Sequence, residues 1–159
     1  VSEIDSLTLY VDGAAKGNPG PAGIGIQVVH DGEVLKEDCG YLGVATNNAA
    51  EYQALIRGLQ LARDFEANSV QVISDSELVV NHMNGRYKVK SASLRPLFEE
   101  AQKLSREFHR FKISHVDRSQ NKDADRLANE GIRNHAASGP DGRARKSEES
   151  PSSTGQNAG

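Results

Sequence analysis

Cysteine is almost absent from this chain. Only Cys39 carries a thiol among 159 residues, which excludes a disulfide framework and a cysteine-rich zinc site. The opening residues lack the basic start and long apolar core of a signal peptide, and no apolar run approaches the roughly 20 residues that cross a bilayer. A cytoplasmic location without a membrane partner is therefore expected. No internal repeat is visible. There is no excess of positive charge to announce a nucleic-acid binder either, since the formal net charge is −3. From Ala136 to Gly159 large apolar side chains are missing altogether, leaving Ser, Gly, Pro and charge. Such a composition cannot bury enough surface to order itself. The expected organisation is one domain over residues 1–135 and a disordered polar tail or linker over 136–159.

Charge is unevenly spread in what remains. Residues 1–85 carry 4 basic and 12 acidic side chains, whereas residues 86–112 carry 8 basic and 3 acidic. A basic segment beside an acidic body could form a phosphate-binding face or simply the solvated side of a helix.

Hydrophobic periodicity supplies the elements. Residues 7–12 alternate as a strand ending on Asp12, and the Gly/Pro run to Gly23 reads as a loop. Ile24, Ile26 and Val28 alternate as a second strand, Asp31-Gly32 signals a tight hairpin, and residues 34–42 continue as a third strand frayed near Gly40 and Gly43. Thr46-Asn47-Asn48 offers caps for a helix carrying Tyr52, Leu55, Ile56, Leu59 and Ala62. A short strand over 70–73 leads into Ser74-Asp75, and a short helix spans 76–83. A longer helix is marked by Leu94, Leu97, Phe98, Ala101, Leu104 and Phe108. The last strand covers 111–116, and Asn121 can cap a final helix with Ala124, Leu127, Ala128 and Ile132 as its buried stripe. The order β-β-β-α-β-α-α-β-α implies a mixed α/β sheet, an antiparallel meander continued by parallel strands through right-handed crossovers.

Four acids fall at comparable places. Asp12 and Asp75 end strands, Glu51 lies one turn into the first helix, and Asp125 lies in the first turn of the last. Sites in open α/β sheets form outside the carboxyl ends of parallel strands. Each acid also has a plainer reading: Asp12 as a turn starter, Glu51 and Asp125 as helix-dipole residues, Asp75 as a cap. Two carboxylates about 5 Å apart repel by roughly 3 kcal/mol at an effective dielectric near 20, so a shared site needs cations, protonation or distance. An oxygen-only set suits hard cations such as Mg²⁺ or Mn²⁺, and two ions could clamp the attacking water and leaving oxygen of a phosphodiester.

The surrounding residues carry a resemblance. Tyr10-Val11-Asp12-Gly13 with Asn18-Pro19-Gly20, then Thr46-Asn47-Asn48-Ala49-Ala50-Glu51, then Ser74-Asp75-Ser76, then Asn121-Lys122-Asp123-Ala124-Asp125-Arg126-Leu127-Ala128 resemble, in this order, the type 1 ribonuclease H family over about residues 7–134. The resemblance implies a five-stranded mixed sheet with helices on both faces. It implies an endonuclease that cuts the RNA strand of an RNA–DNA hybrid with two divalent ions, leaving a 5′-phosphate and a 3′-hydroxyl. By position, Asp12, Glu51, Asp75 and Asp125 would be the metal ligands. Gly13, Asn18, Asn47 and Asn48 would contact the RNA strand, known by its 2′-hydroxyls, and Thr46 would hold a DNA-strand phosphate.

Three departures from better-known bacterial members bear on the site. Where they carry a mobile histidine, the loop here reads Val116-Asp117-Arg118-Ser119-Gln120; Arg118 can bind phosphate but cannot shuttle protons near neutral pH, and His115 fits the strand pattern as a structural residue. Glu77 stands in place of a glutamine, which could alter substrate contact or add a metal contact. Residues 85–96 are too few for the extra basic helix of those members, so Arg86, Lys88, Lys90 and Arg95 substitute in part; with no hybrid-binding extension before the first strand, modest and salt-sensitive affinity is expected. A monomer is expected, with a second domain possible beyond the tail, as in family members that carry a phosphatase-like one. A dinucleotide-binding loop is excluded, because Gly17-x-x-Gly20-x-x-Gly23-x-Gly25 has the wrong spacing and leads into a strand. The remaining alternatives are a non-catalytic hybrid-binding module, a domain of a larger protein, or another nuclease or transposase sharing the sheet.

Overall fold

The computed structural model describes residues 4–138. Five strands form one sheet in the order β3-β2-β1-β4-β5. Strands β1 (Ser6–Ala15), β2 (Gly20–His30) and β3 (Glu33–Ala45) make the antiparallel meander, and β4 (Ser69–Ser74) and β5 (Arg110–His115) add in parallel to β1. The hairpin between β2 and β3 turns on Asp31 and Gly32, both at positive φ (49° and 80°), as its tight two-residue geometry requires. Helix α1 (Asn47–Asp64) follows the meander; α2 (Glu77–Met83) and α3 (Arg95–Ser105) lie between β4 and β5; a short 3₁₀ turn (Arg118–Gln120) precedes α4 (Lys122–Ser138). None of the described helices is long and apolar enough to cross a membrane.

The two faces of the sheet are buried differently. Leu7, Leu9 and Val11 alternate along β1, and the last two sit opposite Val28 and Ile26 of β2, in a core shared with Tyr52, Leu55 and Leu59 of α1. On the other face α4 approaches almost to backbone contact. A Cβ on Gly25 would overlap Ala124 and Ala128, and one on Gly131 would overlap the Gly40 backbone. Small residues in β2, β3 and α4 thus bring the last helix close to the meander.

The meander is also longer than its sequence pattern suggests. The Gly/Pro run is not a loop up to Gly23: β1 continues through Gly13-Ala14-Ala15, and β2 begins at Gly20. Asp12 therefore lies inside β1, paired with Gly25, and does not end it. Strand β3 likewise runs to Ala45, through Gly40 and Gly43. In contrast, α3 stops at Ser105, so Phe108 packs on the core from the following turn. Helix α4 extends to Ser138, past the boundary expected at residue 135, and the remainder of the expected tail lies outside the described residues.

The pairing of β1 creates a fork. Its antiparallel ladder with β2 runs to Ala15↔Ala22, but its parallel ladder with β4 ends at Val11↔Ser74. Beyond that point β1 and β4 part company, and Asp12 and Asp75 stand at the opening.

Candidate active site

Asp12, Glu51 and Asp75 meet at this fork, with one carboxylate oxygen of each within 4.8 Å of the others. Alternation along β1 turns Asp12 away from the face of Val11 and Gly13, toward α4. There it lies within hydrogen-bonding reach of Asp125. Glu51 comes from the α1 side, held by Gly13, whose backbone N–H donates to Glu51 Oε1 at 3.1 Å. A side chain at position 13 would overlap the backbone of Ala50 and Glu51, so the glycine is what lets α1 sit close enough for this bond. Asp75 follows β4 by one residue. Its neighbour Ser76 caps α2 by accepting from Val79 N at 3.2 Å.

The cluster is buried, and its protonation reflects that. Burial, then the charges of Glu51 and Asp75, then a hydrogen bond and charge from Asp125, push the Asp12 carboxyl up to about 10. Burial and the Asp75 charge raise Glu51 to about 8, against the lowering effects of the Gly13 N–H, Asp12 and Arg118. The Asp75 side chain is 4% exposed, and neither of its oxygens has a hydrogen-bond donor. Arg118 Nε stands 3.5 Å from Asp75 Oδ2, a charge contact without hydrogen-bond geometry made by an arginine that is 76% exposed. Three converging carboxylates, one with both oxygens orphaned in the interior, fit a bound hard cation better than any protein partner present. The group could therefore hold a metal ion.

The expected substrate residues surround the cluster and tie its two sides together. Asn18 Oδ1 accepts from Asn47 N at 3.0 Å, Asn47 Oδ1 accepts from Ala15 N at 3.3 Å, and Thr46 Oγ1 caps α1 by accepting from Ala49 N at 3.1 Å. The carbonyl oxygens of both asparagines thus fix the β1–β2 turn against α1. Asn48 lines a cleft of about 630 Å³ with Arg86, Tyr87, Lys88 and Lys90. Glu77 opens α2 and is exposed.

Several placements differ from those expected. Arg95 is not among the residues that line this cleft; its Nη2 donates to Val89 O at 2.6 Å and braces the segment before α3. His115 is in β5, as its pattern suggests, but is exposed and not part of the core. Asn121 does not cap α4 through its side chain. Its Nδ2 donates to Val11 O at 2.9 Å, and its buried Oδ1 has no partner. A capping asparagine and one that spans to a distant strand read the same in sequence. Sequence reasoning also missed the buried pair of Tyr52 and His82, linked Oη to Nδ1 at 2.6 Å beneath the cleft. Tyr52 was legible only as one apolar position in a helical stripe.

An acid cluster at the fork of a five-stranded mixed sheet, backed by helices on both faces, places the chain among ribonuclease H-like domains. A family model described as reverse transcriptase-like matches residues 10–131. The crystal structure of RNase H1 from the halophilic archaeon Halobacterium salinarum superposes with a TM-score of 0.80 at 39% identity, covering 82% of this chain and 99% of that one. LC11-RNase H1, solved in complex with an RNA/DNA hybrid, superposes with a TM-score of 0.77 at 40% identity, covering 80% and 97%. The bifunctional protein Rv2228c of Mycobacterium tuberculosis is 44% identical over 128 residues, or 79% of this chain, and the chain spans only 35% of that protein's length. The chain belongs to the type 1 ribonuclease H family.

Proposed function

We propose that this protein is an endoribonuclease that hydrolyses the RNA strand of RNA–DNA hybrids and leaves 5′-phosphate and 3′-hydroxyl ends. The observation that carries the reading is the buried meeting of Asp12, Glu51 and Asp75, with the Asp75 oxygens lacking any donor. Together with Asp125, these residues would hold two divalent ions, Mg²⁺ or Mn²⁺. When bound, such ions supply Lewis-acid stabilisation of a phosphodiester and a nucleophile at neutral pH.

The other residues position the substrate. With their carbonyl oxygens committed to the fold, Asn18 and Asn47 have amide N–H groups to offer to the sugar edge of an RNA strand. Thr46, Lys88 and Lys90 lie on the side where the companion DNA strand would pass, and their contacts are with its phosphates, while Asn48 joins Asn18 and Asn47 on the RNA strand. Arg118, exposed and beside Asp75, meets the phosphate about to be cut. We expect the domain to act as a monomer in the cytoplasm.

A second reading concerns context. Because the chain matches only 35% of a bifunctional relative, the same activity can belong to one domain of a longer protein.

Cleavage of matched hybrid, RNA duplex and DNA duplex with Mg²⁺, Mn²⁺ or chelator tests the proposal. Hybrid alone should be cut, on its RNA strand, and only with metal. Asp75→Asn should abolish cleavage while leaving hybrid binding largely intact; near-normal activity in that variant would sink the site assignment.

A further inference from the structure

On the far side of α2 from the 630 Å³ cleft lies a second one, of about 540 Å³, between α2 and β5. Resting on the ribonuclease reading above, we propose that it takes a single-stranded stretch of the RNA strand where that strand runs on out of the hybrid.

Position is the first argument. Glu77 and His115 line the cleft at its catalytic end: Glu77 follows Asp75-Ser76 directly, and His115 pairs in register with Ser74. Lys112, another lining residue, pairs with Gln71 three residues lower, about 10 Å down the strand at 3.3 Å per residue. The cleft therefore leads away from the carboxylates along the edge strand of the sheet. Its size, about 540 Å³, is that of a small-ligand site and suits a short single strand.

Chemistry is the second argument. Arg86 and Lys112 have no carboxylate within ion-pair distance among the described residues. Arg86 is aimed by Asn81, whose Oδ1 accepts from Nη1 at 3.3 Å, and Asn84 is fixed across the cleft by donating to Ile113 O at 3.3 Å. A lysine on an edge strand has an ordinary use in discouraging strand pairing. That use does not account for an oriented arginine and two asparagines facing it from another element. Unpaired cations suit phosphates. Glu77 would repel a phosphate but can accept from a ribose 2′-hydroxyl, which favours RNA over DNA at the end nearest the catalytic acids.

The test compares blunt hybrids with hybrids bearing a four-nucleotide single-stranded overhang of RNA, at either end, or of DNA. In wild-type protein one RNA overhang should lower KM roughly fivefold at low salt, and the DNA overhang of the same sequence should lower it less. Lys112→Glu should erase this gain yet cut blunt hybrid normally. Lys36→Glu, the same charge change on β3, should retain it. The proposal is overturned if no RNA overhang helps, if DNA helps equally, if Lys112→Glu keeps the gain, or if Lys36→Glu loses it as well. A wild-type protein that fails to cut blunt hybrid would instead overturn the ribonuclease reading itself.

Discussion

Replacing Asp12 with asparagine removes the carboxyl group that the fold moves farthest from its ordinary range. In an unfolded chain this group ionises near 3.8, whereas in the folded, metal-free protein it holds its proton to about 10. Between those values the folded state binds the extra proton, so its stability contribution is fully present below pH 3.8 and is lost as pH rises toward 10. The loss is roughly 1.4 kcal/mol per pH unit, or up to about 4 kcal/mol by pH 7. Asparagine keeps the shape and an N–H donor and does not titrate. In chelator, Asp12→Asn should therefore be more stable than wild type at pH 7 by a few kcal/mol, on the order of 10 °C in Tm, and the two should converge toward pH 4. Glu51, raised to about 8, adds the same trend to both proteins. Urea unfolding at pH 4.5, 6, 7 and 8 measures the difference, and Mg²⁺ at pH 8 should narrow it by stabilising wild type more. A difference that stays flat with pH, or an asparagine variant less stable at pH 8, would refute the argument from burial and mutual repulsion.

Gly13→Ala should destabilise by about 2–4 kcal/mol and cut activity sharply, because the new methyl group displaces the Ala50–Glu51 backbone; chemical denaturation and cleavage assays read both effects. Asn121→Ala should cost about 2–3 kcal/mol in urea unfolding, since it leaves the buried Val11 carbonyl without its donor. Tyr52→Phe should cost about 1–2 kcal/mol by the same measurement, because buried His82 loses its 2.6 Å partner.

Sequence patterning reaches as far as side chains that announce themselves. Alternating Ile24, Ile26 and Val28 reveal β2, and Asp31-Gly32 reveals its hairpin. The same strand's first residues, Gly20 to Gly23, were unreadable because their strand conformation serves close backbone approach, Gly20 to Lys16 across the turn and Gly23 to α4, and not burial of large side chains. The carboxylates were legible as a set because the sequence pattern puts each near an element end, although Asp12 in fact stands inside β1. Their arrangement was not, since it depends on where the parallel ladder of β1 stops. Arg95 and Asn121 show the limit most clearly. A guanidinium counted toward substrate binding braces a backbone carbonyl, and an amide read as a local cap reaches another element. Local sequence carries no sign of a partner that distant.

The bond from Asn121 to Val11 closes the domain across 110 residues, and it bears on the order in which the protein is made. A growing chain that has emerged only through β5 already contains Asp12, Glu51 and Asp75 and the strands that align them. It has no α4 to cover the second face of the meander or to bring Asp125 beside Asp12. Joining the end of the domain to its beginning is the long-range closure that cannot precede synthesis of α4. The complete four-acid arrangement is thus among the last features the nascent protein acquires, and a fragment ending before Lys122 cannot acquire it at all.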